Sequence, residues 1–277
     1  MWASSHGWHR CWTGDPAGAA KLGGVNVAAL AHHDEGLSLT AAWTKLSAMT
    51  RNIPAIVLRG RRAVREQLHA DGFVGLPRFM KDASLECVAA SLGELISAWG
   101  GPAVHELVPR ADATPNTYSG IFGLGRFPFH TDLAHWAMPP RYILLRCVRG
   151  YADVPTILID GARVVANIGL VEMNRALMTP RRPRKGKVQL LSLAQREGSS
   201  DMIRWDEVFL KPASPVGQRV FDRVRVEIDA AHPTPVAMVD PGDAVIIDNW
   251  RMLHARPLIK PGRTDRRLER VYLKDIA

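Results

Sequence analysis

The sequence predicts a mostly β fold: an antiparallel sandwich with helices flanking it. Three observations carry this expectation. Short extended segments dominate the chain after Gly101, helical periodicity is confined to a few stretches before and between them, and no shift in composition marks a second domain. Residues 1–36 are rich in Gly, Ala and His without a sustained period, so a poorly ordered N-terminal segment is expected there, followed by a single domain over 37–277.

Taken in order, Arg61 to Ala70 suits a short helix stopped near Gly72. Leu85, Val88, Ala89, Leu92, Leu95, Ile96 and Trp99 follow a three-to-four spacing, which predicts an amphipathic helix over 83–99, closed by Gly100 and Gly101. Its apolar stripe reads as core. Extended segments are then expected at 104–108, 117–121, 127–132, 142–148 and 155–159. Tyr142-Ile143-Leu144-Leu145 and Thr156-Ile157-Leu158-Ile159 carry the β-branched and apolar residues of buried strands. Helical patterns fall near 161–178 and 215–231, and strand signals resume at 234–239, 243–248 and 268–274.

The chain has 277 residues, 47% of them hydrophobic, enough for one large core. No run of about 18 apolar residues offers a membrane span, and Met1 to Gly24 does not read as a signal peptide. Cys11, Cys87 and Cys147 are odd in number and far apart. Neither a disulfide framework nor a cysteine zinc site is expected from them, and a reducing cytoplasm fits them best. The net charge of +9 and pI of 9.9 admit a polyanion partner, an anionic small molecule, or solubility alone. The densest basic run, Arg181, Arg182, Arg184, Lys185 and Lys187, reads first as a solvated or mobile loop, with a lid over an anionic substrate and then a nucleic-acid contact as the alternatives.

The most informative stretch is Phe129-His130-Thr131-Asp132. In a strand, residues two apart share a face, so His130 and Asp132 can reach one metal ion. His254, after an apolar strand, is a candidate third ligand. Two histidines and one carboxylate on one side of an ion leave three positions open, an arrangement suited to non-haem Fe(II). His135 competes as a ligand, but its offset of three from Asp132 suits a helix better. Spacing alone leaves the site open, because His-x-Asp pairs are common and the chain has ten histidines.

Four stretches narrow the choice: Tyr118-Ser119-Gly120 leading through Phe127-Pro128-Phe129 into His130-Thr131-Asp132; Thr156 opening a β-run that ends in Asp160-Gly161; Gly242 to Asn249 running into His254-Ala255-Arg256-Pro257; and Asp265-Arg266-Arg267-Leu268-Glu269-Arg270. In these the chain resembles the TauD/TfdA and clavaminate synthase-like family of Fe(II)/2-oxoglutarate-dependent oxygenases. The resemblance implies a double-stranded β-helix, or jelly-roll, core. It implies that His130, Asp132 and His254 hold Fe(II), that Arg266 and Thr156 anchor the distal carboxylate of 2-oxoglutarate, and that O2 is the other co-substrate. It also places Arg270 at a position that often meets a substrate acid group. Arg267 departs from the family, where Trp is frequent. Ser119 is a further pocket candidate, and Arg126 joins it if the strand into His130 is regular. Asp132 occupies the position that related halogenases leave to chloride, so the implied outcome is hydroxylation or desaturation of an unactivated C–H bond. The implied substrate is a small molecule, an amino acid or an acid-bearing intermediate of specialised metabolism.

Each assignment has a plainer reading. Arg266, Arg267 and Arg270 can form a solvated basic face, Thr156 can be a β-former, Ser119 a turn residue and Arg126 a surface charge. Two rival functions stand beside the oxygenase: a cupin-type dioxygenase or isomerase without 2-oxoglutarate, against which the Arg266/Thr156 pair argues, and a basic module for nucleic acid or another polyanion, which leaves the histidine context unexplained.

Overall fold

Two antiparallel sheets stacked face to face position everything that follows. In the computed structural model, residues 55–98, 100–182 and 188–277 are described. The expected segment 1–36, the start of the domain at 37, Trp99 and the centre of the basic run lie outside them. The architecture below belongs to Val64–Ala277, a compact unit.

The larger sheet contains β1 (Phe73–Leu76), β13 (Ala244–Asp248), β5 (Tyr142–Arg149), β15 (Arg267–Leu273) and β2 (Leu95–Ile96) in that order, with β3 (His105–Leu107) also paired to β15. The smaller sheet runs β12 (Thr234–Val236), β6 (Thr156–Asp160), β14 (Met252–Arg256), β4 (Phe127–His130). Period-two alternation sorts their side chains. Ile143, Leu145, Val245, Ile247, Leu268 and Tyr272 of the larger sheet meet Leu158 and Met252 of the smaller one in the layer between the sheets. Leu144, Ile246, Val271 and Leu273 point the other way, against α1 (Ala55–Asp71, through Val64 and Leu68) and α2 (Leu85–Leu92). Ile159, Leu253 and Ala255, on the outer face of the smaller sheet, pack against α4 (Gly161–Ile168), α5 (Leu170–Arg175) and α6 (Pro215–Ala230). This is the expected jelly roll with helical cover on both outer faces.

Several local expectations are corrected. The helix expected over 83–99 ends at Leu92. A Cβ on Gly93 would lie 2.0 Å from the Asp275 carbonyl oxygen, so the C-terminal backbone passes where the helix would continue. Leu95 and Ile96 pair with Leu273 and Tyr272 instead, trading a helical stripe for an edge strand. The segment at 117–121 is not extended. It forms α3 (Tyr118–Phe122), capped by the Thr117 hydroxyl, which accepts from the Gly120 N–H. The pattern over 161–178 is two helices broken at Gly169, whose φ of +101° favours glycine. Between Leu177 and Pro212 lie five short strands the sequence reading missed: β7 (Leu177–Pro180), β8 (Leu191–Ser192), β9 (Ala194–Glu197), β10 (Ser200–Ile203) and β11 (Leu210–Pro212). No helix among the described residues is long and apolar enough to cross a membrane.

Candidate metal centre and its cavity

His130 ends β4, and His254 sits directly opposite it on β14, so one cross-strand pair turns both imidazoles into the layer between the sheets, with ring centroids 4.4 Å apart. The His130 Nδ1 lies 2.9 Å from the Pro128 carbonyl oxygen. That contact requires the proton on Nδ1 and leaves the Nε2 lone pair facing inward. Asp132 follows after β4 has ended, and its position depends on Asn249. The Asn249 side chain accepts from the Asp132 N–H at 2.7 Å and donates to the Asp132 carbonyl at 3.0 Å and the Pro140 carbonyl at 2.9 Å. Thr131 is held similarly, by backbone and side-chain bonds to Trp205.

Asp132 Oδ1 lies 3.6 Å from both His130 Nε2 and His254 Nε2. Its Oδ2 accepts from Arg270 Nη1 and from the Tyr272 hydroxyl, each at 2.9 Å. Burial opposes ionisation of this carboxyl, but Arg270 and the two imidazoles outweigh it and hold Asp132 well below the usual carboxylate range. Burial, together with the neighbouring His130, lowers the pKa of His254 and favours its neutral, ligating form. The three donor atoms lie within 4.8 Å of one another. Nitrogen and oxygen ligands stand about 2 Å from a bound transition metal, so one octahedral face needs donors about 3 Å apart. The group fits a divalent ion after small side-chain adjustments, and its composition is that of the facial two-histidine, one-carboxylate set.

These residues line a cavity of about 1080 Å³. Thr156 on β6 and Arg266, just before β15, line it as well, and both are buried. Burial pushes the Arg266 guanidinium down to about 10, so it stays charged at neutral pH, yet it has no carboxylate partner among the described residues and its Nε makes no hydrogen bond. Arg256 is nearby: burial and the charge of Arg266 push it down to about 10 too. Its guanidinium donates to the Gly123 and Gly125 carbonyls at 2.8 and 2.7 Å and lies 3.7 Å over the Phe127 ring. A buried cation without a counter-ion is costly in a protein interior, so the buried Arg266, with the half-buried Arg256 beside it, makes this end of the cavity electrostatically suited to an anion.

The remaining sequence candidates divide. Ser119 lines the cavity from the first turn of α3, and its neighbour Tyr118 stacks on His130 with ring centroids 4.2 Å apart. Arg270 lines it too, but is engaged with Asp132. His135 lines the cavity without joining the three-donor group. Arg126 does not reach the cavity: it is exposed, 5.8 Å over the Phe129 ring. The cause is a bulge in β4. His254 pairs with His130 but Arg256 pairs with Phe127, so one extra residue shifts the parity. Phe127 takes the inner face that regular alternation would have given to Arg126 and Pro128. Asn249, Tyr272, Arg256 and Asp206 were given no role from sequence. Tyr272 was findable, because Arg266, Arg270 and Tyr272 share one parity along β15; Asp206, which caps the Val208 and Phe209 amides inside the cavity wall, carried no signal.

No family model matches the chain. It is 25% identical over 162 residues to clavaminate synthase 2 of Streptomyces clavuligerus, a match covering 53% of this chain and 49% of that protein. The chain thus spans about half the length of the curated relative it matches. Among solved structures, asparagine oxygenase in complex with Fe(II), 2S,3S-3-hydroxyasparagine and succinate superposes with a TM-score of 0.62 at 20% identity, over 79% of each chain. The non-haem iron oxygenase OrfP in complex with Fe, succinate and (3S)-hydroxy-L-Arg gives 0.60 at 18% identity, over 81% of this chain and 85% of that one. The family resemblance read from four sequence motifs therefore recurs in both comparisons: the chain has the jelly-roll fold of these iron oxygenases and a sequence similar to clavaminate synthase 2.

Proposed function

We propose that the chain is an Fe(II)- and 2-oxoglutarate-dependent oxygenase that hydroxylates, or desaturates, an unactivated C–H bond of a small molecule. One observation carries the reading: a single cavity contains the His130, Asp132 and His254 donors together with Arg266, a buried cation with no counter-ion among the described residues. In this reading His130 Nε2, Asp132 Oδ1 and His254 Nε2 hold the iron. Arg266 grips the distal carboxylate of 2-oxoglutarate through charge-assisted hydrogen bonds, and the Thr156 hydroxyl donates a further one. Bound iron, with 2-oxoglutarate and O2, would supply the oxidising power for attack on the C–H bond. The protein binds and orients both organic molecules and keeps water from the reacting centre.

Asp132 fills the position that related halogenases leave to chloride, which supports hydroxylation or desaturation. The substrate class is an amino acid or a derivative of one, in line with the hydroxyasparagine and hydroxyarginine bound to the two solved relatives. Ser119 is the cavity residue offered for its recognition. The test is succinate formation under O2 by protein loaded anaerobically with Fe(II), across a panel of free amino acids. Iron-dependent succinate release, raised by one amino acid or a few, is the expected result. Iron-loaded protein that neither releases succinate nor binds 2-oxoglutarate overturns the reading.

A further inference from the structure

We infer that Arg270 and Tyr272 are positioning residues that restrict Asp132 to ligation through a single oxygen. The inference rests on the iron-dependent reading above. Three features of the structure lead to it.

The two oxygens of Asp132 are treated differently. Oδ2 accepts two hydrogen bonds, one from a guanidinium and one from a phenol, at 2.9 Å each. Among the described residues no donor lies within hydrogen-bond distance of Oδ1, which stands equally far, 3.6 Å, from the two imidazole Nε2 atoms. A carboxylate oxygen offers about two lone-pair sites. Both sites on Oδ2 are filled, so chelation through both oxygens would require breaking at least one of these two bonds.

The carboxylate also cannot swing. Arg270 and Tyr272 project from the same inner face of β15, whose backbone pairs with β5 over Arg267–Leu273. From the other side, Asn249 holds both the N–H and the C=O of Asp132. Head group and main chain are thus fixed by independent elements, and Tyr272 is almost wholly buried.

The consequence is a count of positions. An octahedral ion held by three protein atoms has three places left. A chelating 2-oxo acid takes two, and O2 needs the third. If Asp132 bound through both oxygens, only two places would remain and one co-substrate would be shut out. The Arg270–Tyr272 pair therefore bears on whether the full set of reactants can assemble.

The experiment compares the unmutated chain with Tyr272→Phe and Arg270→Gln. Anaerobic Fe(II) titration is the first readout, and the visible absorption of the Co(II)-loaded protein, which reports coordination number, is the second. Loss of a residue that orients a metal ligand typically weakens metal binding roughly 10- to 100-fold. The expected result is a loss at the upper end of that range for Arg270→Gln and at the lower end for Tyr272→Phe, with an altered Co(II) spectrum in both. Tyr272→Phe keeps the packed ring, so it remains informative if Arg270→Gln folds poorly. Unchanged Fe(II) affinity and an unchanged Co(II) spectrum in Tyr272→Phe overturn the inference. So does an Arg270→Gln protein that differs only in a raised KM for the organic substrate. Wild-type protein that binds no Fe(II) overturns the iron reading itself, a result distinct from either.

Discussion

The two ends of the cavity are built on opposite electrostatic principles. At the Asp132 end, the charge is already answered within the protein: Arg270 and Tyr272 bond to Oδ2, and Asn249 clamps the backbone. At the Arg266 end, the buried Arg266 and the half-buried Arg256 are each pushed down to about 10, with no carboxylate partner among the described residues. The first end is complete except for a metal. The second is incomplete until an anion arrives. Preorganised donors of the first kind are stable without ligand, whereas the second kind stores unfavourable charge that only binding relieves.

Mutations at the two ends should therefore move stability in opposite directions. The largest effect is expected for Asp132→Ala, which removes an iron donor and strands Arg270 in the interior. Fe(II) binding should be lost in calorimetric titration, and the metal-free protein should lose about 3–5 kcal/mol in denaturant unfolding, the range for breaking a buried ion pair from one side. Arg266→Met comes next. Removing a bidentate, charge-assisted contact should weaken 2-oxoglutarate binding by about 3 kcal/mol, roughly 100-fold, while the Tm of the metal-free protein rises because a stranded cation is gone. A fall in Tm comparable to that of Asp132→Ala would erase the contrast. Thr156→Val keeps the β-branched shape on β6 and removes one hydrogen bond, so 2-oxoglutarate binding should weaken by about 1 kcal/mol with the fold intact. Arg126→Ala should be smallest, within about 0.5 kcal/mol of wild type in stability and without effect on either ligand. A clear loss of 2-oxoglutarate binding there would mean that the β4 bulge does not turn this side chain away.

How much of this was legible in the sequence follows from the range of the forces involved. Strands β5, β6 and β13 were readable because burial on both faces imposes apolar runs on them, and β15 through its buried Val271-Tyr272-Leu273 end. The helix over 83–99 was misjudged because its stripe of Leu85, Val88, Ala89 and Leu92 continues smoothly into Leu95 and Ile96, and only the close approach of Asp275 to Gly93, 182 residues away along the chain, ends it. The strands between Leu177 and Pro212 are two to four residues long and carry too little pattern to detect. At the site, the strand parity assumed for His130 and Asp132 does not apply, because β4 ends at His130 and Asn249 holds the Asp132 backbone instead, while His130 and His254 meet as a cross-strand pair. Arg126 failed for the same parity rule, since a single bulge residue inverts it. The partnership of Arg270 with Asp132 depends on two sheets meeting, and no local spacing records that.

The most direct test of the central claim is an anaerobic titration of 2-oxoglutarate into the chain with and without Fe(II), repeated for Arg266→Met. Binding of one 2-oxoglutarate per chain, dependent on iron and weakened roughly 100-fold in the variant, is the result this structure calls for. Iron-loaded wild-type protein with no 2-oxoglutarate binding, or equal binding by the variant, would contradict it.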